Sequence, residues 1–275
     1  MPAPAREGRT GRVWCGSRAS AVRDGTFRYC LGTLGDVSGT NQQELDRLES
    51  IATEGLYNDG PMPTSLRYLA GILGRHWRGE SCLELGPADG VVTEELALAF
   101  PTLTVVDGSS TFCRQLSDRF PGVTVVNALF EEYTPSQRFD TVILGHVLEH
   151  VLDPVGLLDR VRDWVAPGGV ALATVPNAHS LHRQAAVLMG LLPTENALNE
   201  TDRHYGHRRV YDLAGLRSDF VAAGWTVNRT GGYWLKPVSN AQTAAQWSQD
   251  MLDAFMELGE RYPDSAAEIY VVAQP

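Results

Sequence analysis

Residues 82–90 read Cys82-Leu83-Glu84-Leu85-Gly86-Pro87-Ala88-Asp89-Gly90, and this stretch decides the fold. An apolar run with Glu84 inside it predicts a buried strand, Gly86 predicts a sharp turn, and a helix is expected to begin near Gly90. Glycine in the turn lets a ligand approach the backbone closely, and the N-terminus of the following helix has a positive partial charge. The stretch therefore predicts a ligand-binding strand–turn–helix unit.

Short apolar runs alternate with amphipathic segments along the rest of the chain. The predicted strands are 81–85, 103–107, 123–127, 139–144, 170–175, 225–229 and 269–273, and the predicted helices among them are 91–100, 110–120, 154–165 and 213–223. This alternation predicts an α/β fold: a Rossmann-like, doubly wound, mostly parallel seven-stranded sheet with helices on both faces. Right-handed crossovers then bring a ligand to the carboxyl ends of the strands.

The remaining segments lie before the sheet or interrupt it. Residues 1–38 are rich in glycine and arginine without periodicity, so we expect a flexible basic leader. A helical cap is predicted over 39–79, with a capping box at Thr40 and Gln43 and a second helix over 64–75. The main domain is then 80–275, and its insertions 178–209 and 236–262 are expected to form a substrate cap.

Composition excludes several classes of function. The formal net charge is -10, and because six arginines lie within the first 30 residues, the body is more acidic still. An acidic body repels polyphosphate, so no nucleic-acid partner is expected. No apolar run approaches the ~18 residues of a membrane span, and the N-terminus lacks the apolar stretch of a secretory signal. The four cysteines show no metal or disulfide spacing, which favours a cytoplasmic protein without a membrane partner.

The turn at residues 84–90 discriminates between cofactors. A dinucleotide fingerprint requires glycine at 86, 88 and 91, whereas this chain has Gly86, Ala88 and Val91, which argues against a nicotinamide or flavin. The stretch fits E-x-G-x-x-x-G instead and resembles motif I of the class I S-adenosylmethionine (SAM)-dependent methyltransferases. Residues 145–154 and the turn Ala166-Pro167-Gly168-Gly169 are similar to stretches of the ubiquinone-type small-molecule branch. The resemblance implies SAM as the cofactor.

Cofactor contacts are expected at the ends of the first strands. Asp107 ends the second strand, 17 positions after Gly90, where its carboxylate can accept both ribose hydroxyls, although Asp107-Gly108 could also be a plain turn. The resemblance implies that Asn127, Ala128 and Leu129 flank the adenine. The full set of candidate cofactor residues is Glu84, Gly86, Pro87, Gly90, Asp107, Gly108, Ser109, Asn127, Ala128, Leu129 and Gly145.

Two histidines follow the fourth strand and are the candidate catalytic residues. If 146–151 is a helical turn, the spacing of His146 and His150 puts them on one face. A histidine suits taking a proton from a hydroxyl or ammonium, but one of the two could cap a turn while the other packs on a helix. Glu149 would point elsewhere on such a helix, so no metal site is predicted.

The acceptor pocket has weaker signals. The polar-aromatic segment 202–211 lies in the first insertion, where His204 and His207 could border a substrate or belong to a solvated loop. Tyr57 and Tyr233 are the other substrate candidates.

These residues predict a SAM-dependent O- or N-methyltransferase of a small-molecule biosynthetic intermediate, such as a sugar, an amino sugar or a peptide-derived metabolite. Three alternatives remain open. The chain could methylate a protein or RNA with the leader as recruiting arm, it could be a non-catalytic SAM-binding regulatory protein, or it could be an NAD-linked oxidoreductase. The sequence predicts no oligomeric state.

Overall fold

The structure is a computed structural model that describes residues 37–54 and 60–275. The basic leader, apart from its last two residues, and Tyr57 lie outside the described residues. The strands are β1 (Ser81–Leu85), β2 (Thr102–Asp107), β3 (Thr124–Asn127), β4 (Phe139–Gly145), β5 (Val165–Pro176), β6 (Thr226–Tyr233) and β7 (Glu268–Gln274). The helices are α1 (Val37–Glu54), α2 (Met62–Gly74), α3 (Val91–Ala99), α4 (Ser110–Arg119), α5 (Pro154–Trp164), α6 (Leu181–Leu188), α7 (Glu200–His204), α8 (Leu213–Ala222), α9 (Asn240–Gln246) and α10 (Gln249–Arg261).

The strands form one sheet in the order β3-β2-β1-β4-β5-β7-β6. Neighbouring strands from β3 to β5 are parallel, and β7 runs antiparallel to both β5 and β6. The order reverses between β1 and β4, and ligands of open α/β sheets bind outside the carboxyl ends of the strands at such a switch point. The fold class predicted from the sequence is therefore confirmed, and the topology selects one edge of the sheet for the site.

Side chains of the central strands alternate between two apolar layers. Val142 and Leu144 pack into the layer that contains α5 and α8, while Ile143 and Leu172 pack into the layer that contains α2 and α3. All four are at most 1% exposed. Strands covered on both faces read as continuous apolar runs, which is why the sequence showed short runs rather than alternation. The two layers fix the carboxyl ends of β1, β2 and β4 rigidly beside one another.

Two predicted boundaries were wrong. The turn expected at 166–169 is a bulge within β5, because Phe139 pairs with Val165 and Thr141 pairs with Val170, so both flanks of the bulge stay on the ladder. The strand expected to end at residue 229 continues to Tyr233 through two glycines. A Cβ at Gly231 would lie 2.5 Å from the Tyr270 ring, so glycine here permits a close approach rather than ending the strand.

Helices outside the sheet lie before β1 and in the segments 178–209 and 236–262, and the division into a cap and a substrate-binding pair of insertions stays a prediction. The helix α1 begins at Val37, ahead of the capping box proposed at Thr40, so Thr40 is inside the helix rather than at its end. The first insertion contains α6 and α7, and the second contains α9 and α10. Over the described ranges, none of the helices is both long and apolar enough to cross a bilayer.

Candidate active site

A cavity of about 1160 Å³ lies at the carboxyl ends of β1, β2 and β4. Typical small-molecule sites are roughly 300–1000 Å³, so this volume has room for a nucleoside-sized cofactor and a second small molecule. One half is walled by the loops after β1, β2 and β3, and we call it the cofactor half. The other half is walled by the loop after β4, the two insertions and the start of β7, and we call it the acceptor half.

The loop after β1 has the backbone geometry that its glycines predicted. Gly86 has φ +67°, and its N–H donates to the Val106 carbonyl at 2.9 Å. A Cβ at this position would lie 3.1 Å from Val147, so a larger side chain would be both strained and crowded. Glu84, 3% exposed, lies on the cavity wall behind the turn and accepts a 2.6 Å hydrogen bond from Thr93 Oγ1. Burial raises the pKa of Glu84 to about 7, against the opposing effect of the Thr93 bond.

Asp107 ends β2 and borders the cofactor half. Its Oδ1 accepts from the Ser109 N–H at 2.8 Å, and its Oδ2 accepts from the Ala88 N–H at 3.3 Å. Burial raises the pKa of this carboxyl to about 6, while the two backbone bonds lower it. A carboxylate has about four lone-pair positions, so two remain for a pair of ribose hydroxyls. The free acceptor positions of Asp107 in this half therefore fit the ribose hydroxyls of the nucleoside of SAM.

The other cofactor candidates divide into two groups. Pro87, Gly108, Ala128, Leu129 and Gly145 line the cavity together with Glu84, Gly86 and Asp107.

Gly90, Ser109 and Asn127 do not line the cavity and shape the loops that do. Gly90 is the N-cap of α3 with φ +80°, and Ser109 caps α4 by accepting from the Phe112 N–H at 3.2 Å. Asn127 Nδ2 donates to the carbonyls of Asp107 and Gly108, both at 3.0 Å. These three positions hold the ligand-facing loops in place, and direct cofactor contact by them stays a prediction.

His146 lies between two buried carboxylates. Its Nδ1 is 3.2 Å from Glu149 Oε1, and its Nε2 is 3.9 Å from Glu268 Oε2. Burial alone would lower the pKa of His146, but the Glu149 hydrogen bond and the charge of Glu268 outweigh it and raise the pKa to about 9. At neutral pH this imidazole is therefore positively charged and held in one orientation.

His150 has the opposite protonation state. Burial lowers its pKa to about 4 despite the favourable charge of Glu149, so the ring is neutral near pH 7. The ring packs edge-on against His207, with centroids 4.8 Å apart. Both histidines line the cavity, which brings the two catalytic candidates together at the end of β4.

The helical turn assumed for 146–151 was wrong. His146 has φ +55°, and the His150 N–H donates to the Val147 carbonyl in a tight turn. The turn brings the Glu149 side chain back between the two histidines instead of directing it elsewhere. Among the described residues, Glu149, His150 and His207 have ligand atoms within 4.8 Å of one another, a set that a divalent metal could use. Because Glu149 Oε1 is already bonded to His146, the absence of a metal site stays a prediction.

The substrate candidates are spread over different environments. His207 lines the acceptor half, with Nδ1 3.5 Å from Asp202 Oδ1. His204 is exposed and its Nε2 is 3.0 Å from Glu54 Oε2 on α1, away from the cavity wall. Tyr233 is completely buried in β6 with its ring stacked on Tyr68 at 5.9 Å, so it lies in the core behind the wall. Only His207 of these three reaches the cavity.

Two charged residues of the acceptor half are not among the site residues predicted from the sequence. Glu268 starts β7 and is 5% exposed, and Lys236, 7% exposed, follows the end of β6. Because β7 is antiparallel, its first residue lies at the same edge as the last residues of the parallel strands. The signal for Glu268 was an acidic residue at the head of an apolar strand.

The N-terminal helix α1 closes one side of the cavity. Arg47 Nη1 donates to the Tyr205 carbonyl at 3.3 Å, and Arg208 Nη2 donates to Glu44 Oε2 at 3.0 Å. Glu44 and Arg47 belong to α1 and line the cavity, as do Tyr205 and Arg208 from the segment after α7. The helix α1 and the first insertion thus meet at the wall of the cavity.

Comparisons with known proteins show the family to which the chain belongs. A family model described as a methyltransferase domain matches residues 60–230. Trans-aconitate 2-methyltransferase from Acidovorax sp. strain JS42 is 27% identical over 46% of this chain, and the match spans only 50% of that relative. Ubiquinone biosynthesis O-methyltransferase from Methylobacterium nodulans is 27% identical over 72% of this chain and 87% of its own length.

Solved structures share the fold. The N-methyltransferase NodS from Bradyrhizobium japonicum, solved in complex with S-adenosylhomocysteine (SAH), aligns with a TM-score of 0.53 at 16% identity. The alignment covers 85% of this chain and 97% of NodS. The structural likeness supports the fold, and the family match covers more than half of the sequence. The chain therefore belongs to the methyltransferase-domain family, as a member with the class I fold.

Proposed function

We propose that this protein transfers a methyl group from SAM to an oxygen or nitrogen of a small-molecule biosynthetic intermediate. The observation that supports this most is the continuity of the cavity, which joins the Asp107 wall to the His146 and His150 wall. The first wall suits a nucleoside and the second suits proton transfer, and methyl transfer to a hydroxyl or ammonium needs both.

SAM, when bound, supplies a methyl group on a positively charged sulfur. Asp107 and the loop at Gly86 hold the nucleoside, so the acceptor must enter from the acceptor half. Aligning the two reactants in one cavity provides most of the acceleration, because it converts a bimolecular step into an effectively unimolecular one. The helix α1 and the segment after α7 border the cavity where the acceptor is expected to bind.

His150 is the proposed base. It is neutral near pH 7 and lines the cavity, so its ring can accept the proton that the acceptor loses during methyl transfer, with the Glu149 carboxylate 4.0 Å away to stabilise the charge that forms. His146 is already protonated and held by Glu149, so its proposed part is to orient the acceptor. Glu149 serves as a positioning residue, because its carboxylate contacts one histidine and lies 4.0 Å from the other.

A sugar, an amino sugar or a peptide-derived metabolite is the proposed acceptor class. The volume of the cavity favours a small molecule over a macromolecule, and the similarity to relatives named for trans-aconitate and ubiquinone biosynthesis points the same way. The acidic net charge disfavours nucleic acid. A cytoplasmic location is part of this proposal.

The test uses the full chain and two measurements. Calorimetric titration with SAM and SAH is expected to show binding, and transfer of labelled methyl groups is expected for members of a panel of sugars, amino sugars and peptides. Failure to bind either cofactor form would contradict the proposal. Tight SAM binding without turnover across the panel would favour a regulatory SAM-binding protein instead.

A further inference from the structure

Lys236 is the only lysine in a chain that has 22 arginines. It follows the end of β6 and lines the acceptor half of the cavity while remaining 7% exposed. Lysine is almost never buried to this degree unless its charge has a partner. The one lysine of this protein is thus buried at the wall of the candidate site, where desolvation disfavours a positive charge.

The partners of this ammonium are weak. Nζ donates to Asn240 Oδ1 at 2.7 Å and lies 4.4 Å from the centroid of the Trp234 ring. Within the described part of the chain, no carboxylate oxygen lies within 4.0 Å of Nζ. At longer range, the charges of Glu268 and Asp202 raise the pKa of Lys236, and the charge of Arg183 lowers it. An ammonium has three N–H donors, and the amide oxygen takes one of them.

The neighbouring cation Arg183, unlike Lys236, has a carboxylate partner. Arg183 forms an ion pair with Asp202 at 3.0 Å, and its other donors bind the carbonyls of Glu195 and Ala197. His182, whose backbone N–H donates to the Lys236 carbonyl, has a buried Nδ1 with no hydrogen-bond partner among the described residues. Among the residues that the structure describes, this corner of the wall therefore combines an ammonium with no carboxylate oxygen within 4.0 Å and a buried histidine nitrogen with no hydrogen-bond partner.

A stability role does not explain this corner. Burial lowers the pKa of Lys236 to about 8, so the group is still mostly protonated at pH 7 and bears the cost of a buried charge. Such a cost is offset when an anion enters the cavity. The compact ammonium also fits between the Trp234 ring and Asn240, where a planar guanidinium would need more space.

We propose that Lys236 binds a negatively charged oxygen group of the methyl acceptor, a carboxylate or a phosphate, in the acceptor half of the cavity. The inference rests on the proposed methyltransferase function, because that function is what makes the bound molecule a methyl acceptor. The negative charge of the bound group is inferred from the surroundings of Lys236 alone. It narrows the acceptor from any sugar or metabolite to one that carries an acidic group.

The single lysine permits a direct test by nuclear magnetic resonance. Protein labelled with ¹³C-lysine gives one side-chain ε-carbon signal, which reports on Lys236 alone. In SAH-saturated protein, hexanoate or hexyl phosphate should shift this signal and raise the pH at which the ammonium loses its proton. Hexanamide, which has the same shape without the charge, should do neither. No shift with either anion, or an equal shift with hexanamide, would overturn the proposal.

Calorimetry on Lys236→Met supplies a second readout. The wild-type protein should prefer one of the two anions over hexanamide by about tenfold, and the variant should lose that preference while binding SAM as before. The stronger anion identifies the group as carboxylate or phosphate. A preference that survives in the variant would contradict the proposal. The anion titrations are repeated without SAH, so that binding at Lys236 is measured independently of the cofactor. Failure of SAM binding would reject the proposed function, whereas failure of anion binding would reject only the proposal for Lys236.

Discussion

The two halves of the cavity hold their charged groups by different means. In the cofactor half, Asp107 is fixed by two backbone N–H groups of adjacent loops, so the backbone of the sheet edge sets its position. In the acceptor half, His146 and His150 are placed by the Glu149 side chain and by residues from β7 and the first insertion. The difference predicts that substitutions at Asp107 and at His150 change different properties of the protein. Cofactor affinity should follow the first half and turnover the second.

The strongest test of this separation is His150→Ala. Loss of a positioned base is expected to lower kcat by roughly 10²–10⁴-fold, while SAM affinity stays unchanged because the ring belongs to the acceptor half. Steady-state kinetics and calorimetry measure the two effects. His76→Ala, a half-buried histidine outside the cavity, is the matched control and should leave both values near wild type. Normal turnover of His150→Ala would show that alignment alone drives the reaction.

The reverse experiment is Asp107→Ala. Losing hydrogen bonds to a charged group should weaken SAM binding by about 1–3 kcal/mol, measured by titration. The ¹³C-lysine titration of Lys236 should be unaffected, because that residue lies in the other half. Asp163→Ala, an exposed acidic residue on α5, is the control for charge. Unchanged SAM affinity in Asp107→Ala would remove Asp107 from the site.

The sequence predicts the cofactor half of the cavity better than it predicts the acceptor half. Glu84, Gly86 and Asp107 lie in or just after consecutive strands, so local patterns place them and parallel pairing brings them together. Lys236 and Glu268 are far from the β4 loop in sequence, and only the antiparallel β7 beside β5 brings Glu268 to His146. No local pattern contains that information, because it depends on which strands become neighbours.

The errors have local physical causes. The positive φ of His146 turns the chain so that Glu149 faces inward, whereas helical spacing assumed that it faced outward. The strand expected to end at residue 229 continues to Tyr233, and Gly231 makes room for the Tyr270 ring. Tyr233, a predicted substrate residue, is therefore part of the core. Backbone conformation at single residues, rather than composition, decided each of these points.

A smaller effect is expected on the pH dependence of stability. The raised pKa of His146 adds stability that is fully present below about pH 6.5, the ordinary histidine value, and is lost as pH rises through about 9. Glu149→Gln removes the main cause of the raised pKa. Denaturant unfolding between pH 6 and 9 should therefore show a smaller decline in the variant than in the wild type. An identical decline in both proteins would mean that Glu149 does not hold the proton on His146.

The smallest expected effect concerns metal. If Glu149, His146 and His150 act in proton transfer without a metal, chelation by EDTA should leave kcat and the melting temperature unchanged. Dialysis against EDTA followed by kinetic and thermal measurements checks this. A loss of activity that zinc or manganese restores would instead assign Glu149, His150 and His207 as metal ligands.

The most direct test of the central claim is a crystal structure of the full chain grown with SAH. The account predicts SAH in the cofactor half, with its ribose on Asp107, its amino-acid end at the loop after β1 and its sulfur facing His146 and His150. Finding no SAH beside Asp107, together with tight binding of NADH in solution, would contradict the account.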